Sequence, residues 1–345
     1  SVSPDTGWTP HHLVLEDAGG QLQAACPLYV KAHSYGEFVF DFTWARAAAQ
    51  LGQAYYPRLV AAIPFTPSSG PRWAAVNPQA EARLLGHLAG LAAEQGRSSL
   101  HALFLTREQG KAAAAHGASL RHDVQYQWFN RNYPSFDDFL GALASAKRKK
   151  LRRERQKLRD AGIVYRREAA HTLDRTALDA VYALYASTYA MRGQAPYLNR
   201  AFFDHYLQDG DSPLWVLSGR HDNDPQHARR LMALFFVGTD TLFGRHWGAT
   251  HEMDGAHFET CYYQGIDWCI DLGLQRFDAG TQGEHKRTRG FEPVVTTSAH
   301  WLTHPRLRAA VDDYLDRERA AVTEHAALLA AHHSAYRQGS GGGNG

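Results

Sequence analysis

A polar loop between Gly280 and Gly290, with the sequence GTQGEHKRTRG, combines a carboxylate, an imidazole and several cations. It follows a short predicted strand over Arg276–Ala279. Binding and catalytic groups lie on loops more often than in cores. We therefore expect Glu284 and His285 to supply acid–base chemistry. The alternative is an ordinary solvated turn.

The same loop carries side chains suited to holding an anion. Lys286 and Arg289 could bind a phosphate or carboxylate of a substrate. Gln282 is a further candidate for substrate binding. If the loop is only a solvated segment, these side chains have no such role.

A predicted helix over Phe258–Leu272 precedes the loop and adds further candidates. His257 and Glu259 lie at its start, near the positive end of the helix dipole, and either could accept a proton from an amine. The alternative is a capping residue and a first-turn acid. Aromatic residues at helical spacing usually belong to a core, so we keep only Tyr262 as a candidate donor to an oxyanion.

A predicted strand over Thr241–Trp247 carries two adjacent polar residues, Arg245 and His246. Side chains alternate along a strand, so one of the pair should face outward, and we favour Arg245 as a substrate contact. His257 and Cys261 share a helix face, but no second ligand pair lies near them, so no metal site is expected. No Gly-x-Ser-x-Gly elbow or Cys/His signature points to covalent catalysis.

A strongly basic run, Lys147–Arg159, contains nine Lys or Arg residues and one Glu. It lies in a predicted basic helix over residues 136–160, with Leu151 and Leu158 on the buried side. Repulsion within the run favours an anionic partner such as RNA phosphate; the alternative is a solvated helix. The candidate contacts are Lys147, Arg148, Lys149, Lys150, Arg152 and Arg153.

Composition limits the classes of protein to consider. The chain has 345 residues, 44% of them hydrophobic, and a net charge of +2. It can build a sizeable core, and any basic surface must be local. Three cysteines are too few for a disulfide framework, which favours a reducing, cytoplasmic setting. We expect no membrane-spanning segment.

Strands and helices alternate along the chain, which predicts an α/β protein. The order of elements in 13–41, including a strand over Tyr35–Phe40, resembles the order in 214–272. This repetition predicts two similar domains, over residues 1–132 and 133–335. The glycine-rich residues 336–345 are expected to form a flexible tail.

Specific segments resemble the FemAB-like tandem GNAT family. They are HSYGEFVFD (33–41), YYPRL (55–59), IPFTPSSGPR (63–72), QWFNRNYPSFDDFL (127–140), KRKKLRRER (147–155), LFGRHWGA (242–249), HFETCYYQGID (257–267) and GTQGEHKRTRGFEP (280–293). The resemblance implies two GNAT-like domains, each with a mixed central sheet flanked by helices, and transfer of an acyl or aminoacyl group to an amine. It also makes Tyr35 and Arg72, within matched segments, candidates for substrate binding.

The donor implied by this resemblance is either aminoacyl-tRNA or acyl-CoA. GNAT enzymes that use acetyl-CoA carry a Gln/Arg-x-x-Gly-x-Gly/Ala turn, whose backbone N–H groups hold the pyrophosphate. The corresponding stretch, 248–257, lacks this motif and carries Glu252 and Asp254. This departure favours a tRNA-borne donor and an amine of a peptide-like or cell-wall precursor as acceptor. An acyl-CoA N-acetyltransferase and a non-catalytic RNA-binding module remain as alternatives.

Overall fold

The computed structural model describes residue 2 and residues 4–281, 283–332 and 335–337, and only the backbone of Pro4, Glu284 and His332. The chain divides into two compact units. The first contains the described residues of 2–125 and 294–327, and the second contains those of 126–293 and from Leu328 to Arg337. No helix of the described residues is both long and apolar enough to cross a bilayer.

This division corrects the expected domains, which were two contiguous segments meeting at 132/133. The chain crosses between units at 125/126, close to that boundary, but residues 294–327 return to the first unit. A boundary read along the sequence misses this return, because a closing strand can pair with a strand formed about 200 residues earlier.

The first unit is built on a mixed sheet and a small antiparallel sheet. The mixed sheet has the strand order β1-β4-β5-β7-β14, and the small sheet has the order β2-β3-β6. Its elements are β1 (Trp8–Pro10), β2 (Leu13–Glu16), β3 (Leu22–Cys26), β4 (Tyr29–Lys31), α1 (Phe42–Gln50), β5 (Arg58–Ala61), β6 (Ala74–Ala75), α2 (Pro78–Glu94), β7 (Ser99–Leu105), α3 (Arg107–Ala115), the start of β8 (Ser119–Phe129), most of β14 (Glu292–Leu302) and most of α10 (Pro305–His332).

The second unit has the strand order β8-β13-β12-β11-β10-β9, in which only β12 and β13 are parallel neighbours. Its elements are α4 (Phe136–Ala142), α5 (Ser145–Asp160), β9 (Ile163–Ala169), α6 (Arg175–Ala190), α7 (Arg200–Gln208), β10 (Leu214–His221), β11 (Leu231–Val237), β12 (Thr241–Ala249), α8 (Ala256–Phe258), a π-helical turn (Glu259–Tyr263), α9 (Gln264–Leu272) and β13 (Arg276–Asp278).

Two glycines allow helices to lie close to the strands of the second unit. A Cβ at Gly248 on β12 would meet the Leu184 carbonyl oxygen of α6 at 2.0 Å, and one at Gly265 on α9 would meet the Phe277 ring of β13 at 2.5 Å. Only glycine permits such approaches. The two helices therefore pack directly against the strands that carry the candidate site.

Two predicted elements take a different form. Residues 35–40 form turns and bends instead of a strand, with positive φ at Gly36 and Phe38. The predicted helix over 136–160 is two helices, because Leu143 is extended and pairs with Tyr336. In both segments the conformation involves contacts with distant residues: Glu37 and Asp41 pair with Arg58, and Leu143 pairs with Tyr336.

Candidate active site

The parallel strands β12 and β13 separate at their carboxyl ends. Their ladder covers only Thr241–Phe243 against Arg276–Asp278, while β12 continues to Ala249. The carboxyl ends of diverging parallel strands commonly form ligand crevices. The loop after β13, which contains the predicted catalytic residues, leaves the sheet at this point.

A β-bulge shapes β12 beside the separation. Ala233 of β11 lies opposite Trp247 and Phe235 opposite Gly244, so Arg245 and His246 share a single partner position. A bulge of this kind redirects side chains and interrupts strict alternation. Both residues are partly buried and both line the adjoining cavity. The expectation that one of them faces outward is therefore wrong.

The cavity has a volume of about 80 Å³. Its polar lining side chains are Arg245, His246, His257, Cys261 and Tyr262. A water molecule occupies about 30 Å³ of liquid, so the cavity is of a size for a carbonyl or small acyl group and not for a whole donor. It can therefore hold the reacting end of a larger substrate.

Tyr262, which lines the cavity, is within hydrogen-bonding distance of His285. The Tyr262 hydroxyl, on the cavity wall, lies 2.9 Å from His285 Nε2. Burial, followed by the charges of Arg289 and Lys286, lowers the pKa of His285. Burial raises the pKa of Tyr262. At neutral pH the pair is thus an uncharged imidazole beside a protonated phenol, which suits proton transfer at the cavity.

The other two histidines at the cavity are weaker bases. Burial lowers the pKa of His257 to about 4, and the pKa of His246 to about 3. The His257 ring packs edge-on against Trp247 and Tyr262. Both imidazoles therefore stay neutral and act as wall or hydrogen-bonding groups. Burial also raises the pKa of Cys261, so its thiol is not an activated nucleophile.

Lys286 and Arg289 do not have the exposed, substrate-binding positions that the sequence predicts. Each side chain is about 1% exposed. Lys286 Nζ donates to the carbonyl oxygens of Ala279, Gly280 and Thr281. Both cations bind partners inside the protein, because a buried charge is stable only when it is paired or hydrogen-bonded.

Arg289 is held by Glu154, a residue that the sequence analysis left without a role. Arg289 Nη2 lies 3.0 and 3.1 Å from the two Glu154 oxygens, and its Nε donates to the Tyr263 hydroxyl at 2.8 Å. Its Nη1 donates to the His285 carbonyl oxygen at 2.9 Å. The sequence feature that could have pointed to Glu154 is that it is the single acid in the basic run.

Glu259, a predicted catalytic residue, is buried and hydrogen-bonded away from the cavity. Its Oε1 accepts from Arg155 Nε at 3.2 Å and from Gln264 at 2.8 Å. It is absent from the cavity wall, in contrast to its neighbour His257. The structure thus brings His257, Tyr262 and His285 together and leaves Glu259 in an ion pair.

The remaining loop candidates lie partly outside the described part of the chain. Gln282 is not among the described residues. For Glu284, only the backbone is described, and it begins the 3₁₀ turn Glu284–Arg289. Both remain predictions.

Of the two candidates in the first unit, Tyr35 is exposed and Arg72 is buried. Tyr35 is 68% exposed on the 33–41 loop. Arg72 is 3% exposed, and its guanidinium donates to the carbonyl oxygens of Ser68, Pro71 and Leu103. Arg72 therefore braces a loop, and its predicted contact with substrate stays a prediction.

The basic run forms α5 with Leu151 and Leu158 buried, as predicted. A groove of about 620 Å³ is lined by residues of α4 and α5, by Ser135 and by Asp267 of α9. Four of its lining residues are arginines: Arg152, Arg153, Arg155 and Arg159. In the described part of the chain, neither Arg153 nor Arg159 has a carboxylate within ion-pair distance. The basic surface of α5 therefore extends beyond the predicted contacts to Arg159.

The predicted contacts at the start of α5 are also on its surface. Lys149 and Lys150 are exposed, and Lys147 and Arg148 are partly so. Lys150 lies 3.8 Å from Glu154, and Arg152 lies 3.4 Å from Asp137. Exposed pairs of this kind contribute little to stability and exchange readily for other anions.

The turn that precedes α8 offers no ready anion site. Glu252 is exposed, and Asp254 contacts Lys157 of α5. Gly255, with φ of 83°, begins the helix. Among the described residues, no group of three or more His, Cys, Asp or Glu side chains has a metal-binding arrangement.

Comparison with solved structures identifies related folds at low sequence identity. The C-terminal domain of a protein assigned as a lysylphosphatidylglycerol synthetase from Agrobacterium fabrum matches with a TM-score of 0.56 and 11% identity, over 98% of this chain and 95% of that one. L-PGS from Bacillus licheniformis matches with a TM-score of 0.55 and 12% identity, over 89% and 88% of the two chains.

FemX has a TM-score of 0.51 and 12% identity, over 90% of this chain and 92% of that one. At these identities the likeness establishes the fold. No curated protein matches the sequence.

The sequence profile of the FemAB-like family, described as peptidoglycan biosynthesis and recognition, matches residues 1–338. Nearly the whole chain is thus covered, and the tandem GNAT-like fold agrees with that of FemX. The chain belongs to the FemAB-like family and is an acyltransferase.

Proposed function

We propose that this acyltransferase moves an aminoacyl group from a tRNA-borne donor to an amine of a peptide-like or cell-wall precursor. The observation that carries the proposal is the Tyr262–His285 pair, which joins a neutral imidazole to the wall of an acyl-sized cavity. The crevice lies where β12 and β13 separate, and such crevices admit ligands at their open end.

The chemistry is a direct displacement at the donor carbonyl. The acceptor nitrogen forms a bond to the carbonyl carbon, and the ester oxygen of the donor leaves. His285 accepts the proton that the amine loses and returns it to the leaving oxygen. Tyr262, which burial keeps protonated, donates a hydrogen bond to the oxyanion of the tetrahedral intermediate.

Charge supports a polyanionic donor bound along α5. Arginine forks match phosphate geometry, and the exposed Arg153 and Arg159 line the groove beside α5. In contrast, the turn before α8 carries Glu252 and Asp254 where an acetyl-CoA enzyme would hold pyrophosphate. A tRNA-borne donor would place the reaction in the cytoplasm, in agreement with the expectation from cysteine usage.

The acceptor proposal has a separate basis. The family description concerns peptidoglycan, whose peptide stems carry free amines. Tyr35 and Gln282 remain proposed substrate contacts, and Glu284 remains a proposed catalytic residue.

A transfer assay with two donors tests the proposal. Purified protein is incubated with an amine-bearing stem peptide and either tRNA charged with labelled amino acids or labelled acetyl-CoA. We expect label to reach the peptide only from tRNA. Transfer from acetyl-CoA alone would contradict the proposed tRNA-borne donor. Transfer from neither donor would contradict the proposed acceptor or the proposed activity.

The basic groove also suits a non-catalytic RNA-binding protein. That alternative predicts RNA binding that depends on α5, together with no transfer and no effect of His285→Asn. Measuring binding and transfer on the same preparations separates the two functions.

A further inference from the structure

We propose that Glu154 is a positioning residue that fixes His285 beside Tyr262. The inference rests on the proposed role of His285 in transfer, but the placement itself can be tested without a substrate.

The loop that carries His285 lacks an apolar anchor of its own. Gly283 and Gly290 bound it with positive φ, and between them the buried side chains are the cations Lys286 and Arg289. A buried cation is stable only if it is paired and hydrogen-bonded. The conformation of the loop therefore depends on the partners of these two cations.

The two cations have different kinds of partner. Among the described residues, Lys286 Nζ donates hydrogen bonds to carbonyl oxygens at the start of the loop and to no carboxylate. Among the described residues, Glu154 is the one carboxylate in an ion pair with Arg289. Removing Glu154 would leave the buried Arg289 guanidinium without its ion-pair partner among the described residues.

A continuous set of contacts leads from Glu154 to His285. Both Glu154 oxygens accept from Arg289, and the Tyr263 hydroxyl donates to Glu154. Arg289 Nη1 then donates to the His285 carbonyl oxygen. The guanidinium also stacks on the Phe258 ring at 3.5 Å, which fixes its plane. The backbone of His285 is thus held from the inner face of α5.

The position of Glu154 in the sequence supports this function. It is the single acid among nine cations in 147–159, yet its closest exposed cation, Lys150, is 3.8 Å away. Its carboxylate instead serves the buried Arg289. The outer face of α5 can therefore remain cationic while its inner face positions the loop.

The pKa of His285 distinguishes positioning from a simple loss of charge. Removing a nearby carboxylate lowers the pKa of an imidazole by electrostatics alone. Releasing the loop has the opposite effect, because the burial and the Arg289 charge that lower this pKa are lost. Positioning by Glu154 therefore predicts that the pKa of His285 rises toward 6.5 in its absence.

The experiment is an NMR titration of ¹⁵N-histidine-labelled full-length protein, with His285→Asn used to assign the resonance. Glu154→Ala and the isosteric Glu154→Gln are compared with wild type. We expect the pKa of His285 to rise in both, more in Glu154→Ala. An unchanged or lower pKa in folded protein would overturn the proposal. If Glu154→Ala does not fold, Glu154→Gln decides.

Glu168→Gln is the matched control. Glu168 is also a largely buried carboxylate of the second unit, 3.0 Å from its partner Arg229, and it has no contact with the loop. We expect it to lower stability without changing the pKa of His285. A similar shift in this control would mean that any broken ion pair disturbs the loop, and would overturn a specific role of Glu154.

A kinetic measurement adds a second readout. With labelled aminoacyl-tRNA as donor, Glu154→Ala should lower kcat by about 10- to 100-fold, because small misplacements of a catalytic group have effects of that size. The KM for the donor should stay near its wild-type value, and Glu154→Asp should restore part of kcat. If wild type transfers nothing, the proposed function fails, and the titration still decides whether Glu154 positions His285.

Discussion

His285 is the residue on which the proposed chemistry depends most. It combines a lowered pKa, a hydrogen bond to the cavity wall and partial access to solvent. His257 is closer to the cavity, but a pKa of about 4 makes it a poor proton acceptor. The structure therefore favours His285 over His257 as the proton acceptor, a choice that the sequence left open.

Replacing His285 should impair transfer without unfolding the protein. A general base contributes about 100- to 10,000-fold, so we expect His285→Asn to lower kcat/KM by at least about 100-fold. His205→Asn, at an exposed position in the same unit, should leave kcat/KM unchanged. The rates are compared by label transfer at equal folded concentration, and an active His285→Asn would remove His285 from the mechanism.

The same assignment fixes the direction of the pH profile. His285 must be neutral to accept a proton, and its pKa is below the usual 6.5. The base-dependent limb of kcat/KM should thus be flat above pH 6.5 and decline only at lower pH. A limb centred above pH 7 would point to another base.

Lys286 should make stability depend on pH in the alkaline range. Burial lowers its pKa from 10.5 to about 8, so between these values the unfolded chain binds more protons than the folded chain. The free energy of unfolding then increases with pH, by about 2 kcal/mol between pH 7.5 and 9.5. Urea denaturation of Lys286→Met should lack this increase. Parallel pH dependences for variant and wild type would contradict the buried cation.

At the scale of elements, the end of the described chain stabilises the break between α4 and α5. Tyr336 is 8% exposed, pairs with Leu143, donates to the Gly290 carbonyl oxygen at 2.9 Å and lies against Arg131. This position was expected to belong to a flexible tail. The rest of that tail, beyond Arg337, lies outside the described residues.

Tyr336→Ala should therefore destabilise the protein. Loss of a buried aromatic side chain costs about 3 kcal/mol or more, whereas Tyr336→Phe should cost only about 1 kcal/mol for the hydrogen bond. Chemical denaturation measures both. Equal stability of Tyr336→Ala and wild type would show that this segment is not part of the folded unit.

Local patterns predicted most elements but not the contacts between distant ones. Helical periodicity predicts α2, where Pro78 and the Asn77 cap define the start. The alternation of aromatic residues in 35–40 also resembles a strand, but Ser34, Glu37 and Asp41 turn inward to the buried Arg58. The sequence of 35–40 by itself does not show that Arg58 lies beside this segment in the fold.

The candidate site was predictable to a similar extent. The loop and the start of its preceding helix were located from the types and spacing of their residues. The buried state of Lys286 and Arg289 was not, because charged residues in a loop ordinarily indicate exposure. The partner of Arg289 lies 135 residues earlier in the chain, beyond the reach of any spacing argument.

At the scale of the whole molecule, RNA binding should be electrostatic and confined to the α5 surface. The chain is nearly neutral, with a net charge of +2, so non-specific attraction to RNA is weak elsewhere. Each phosphate contact contributes about −0.7 to −0.9 to the slope of log K against log salt. Arg153→Glu/Arg159→Glu should reduce the magnitude of this slope by about 1 to 2.

A charge-matched control separates the groove from net charge. Lys111→Glu/Arg306→Glu changes the net charge equally at exposed positions of the first unit. Fluorescence anisotropy with labelled tRNA at several salt concentrations measures both variants. Identical losses in the two variants would assign RNA binding to overall charge, and the proposed groove would then have no specific role.

The most direct test of the account is a crystal structure with a hydrolysis-resistant amide analogue of aminoacyl-adenosine, which mimics the end of a charged tRNA. The account predicts that the aminoacyl carbonyl occupies the cavity between β12 and β13, within hydrogen-bonding distance of the Tyr262 hydroxyl. An analogue bound elsewhere, with the cavity and the Tyr262–His285 pair untouched, would contradict the assignment of this crevice as the site of acyl transfer.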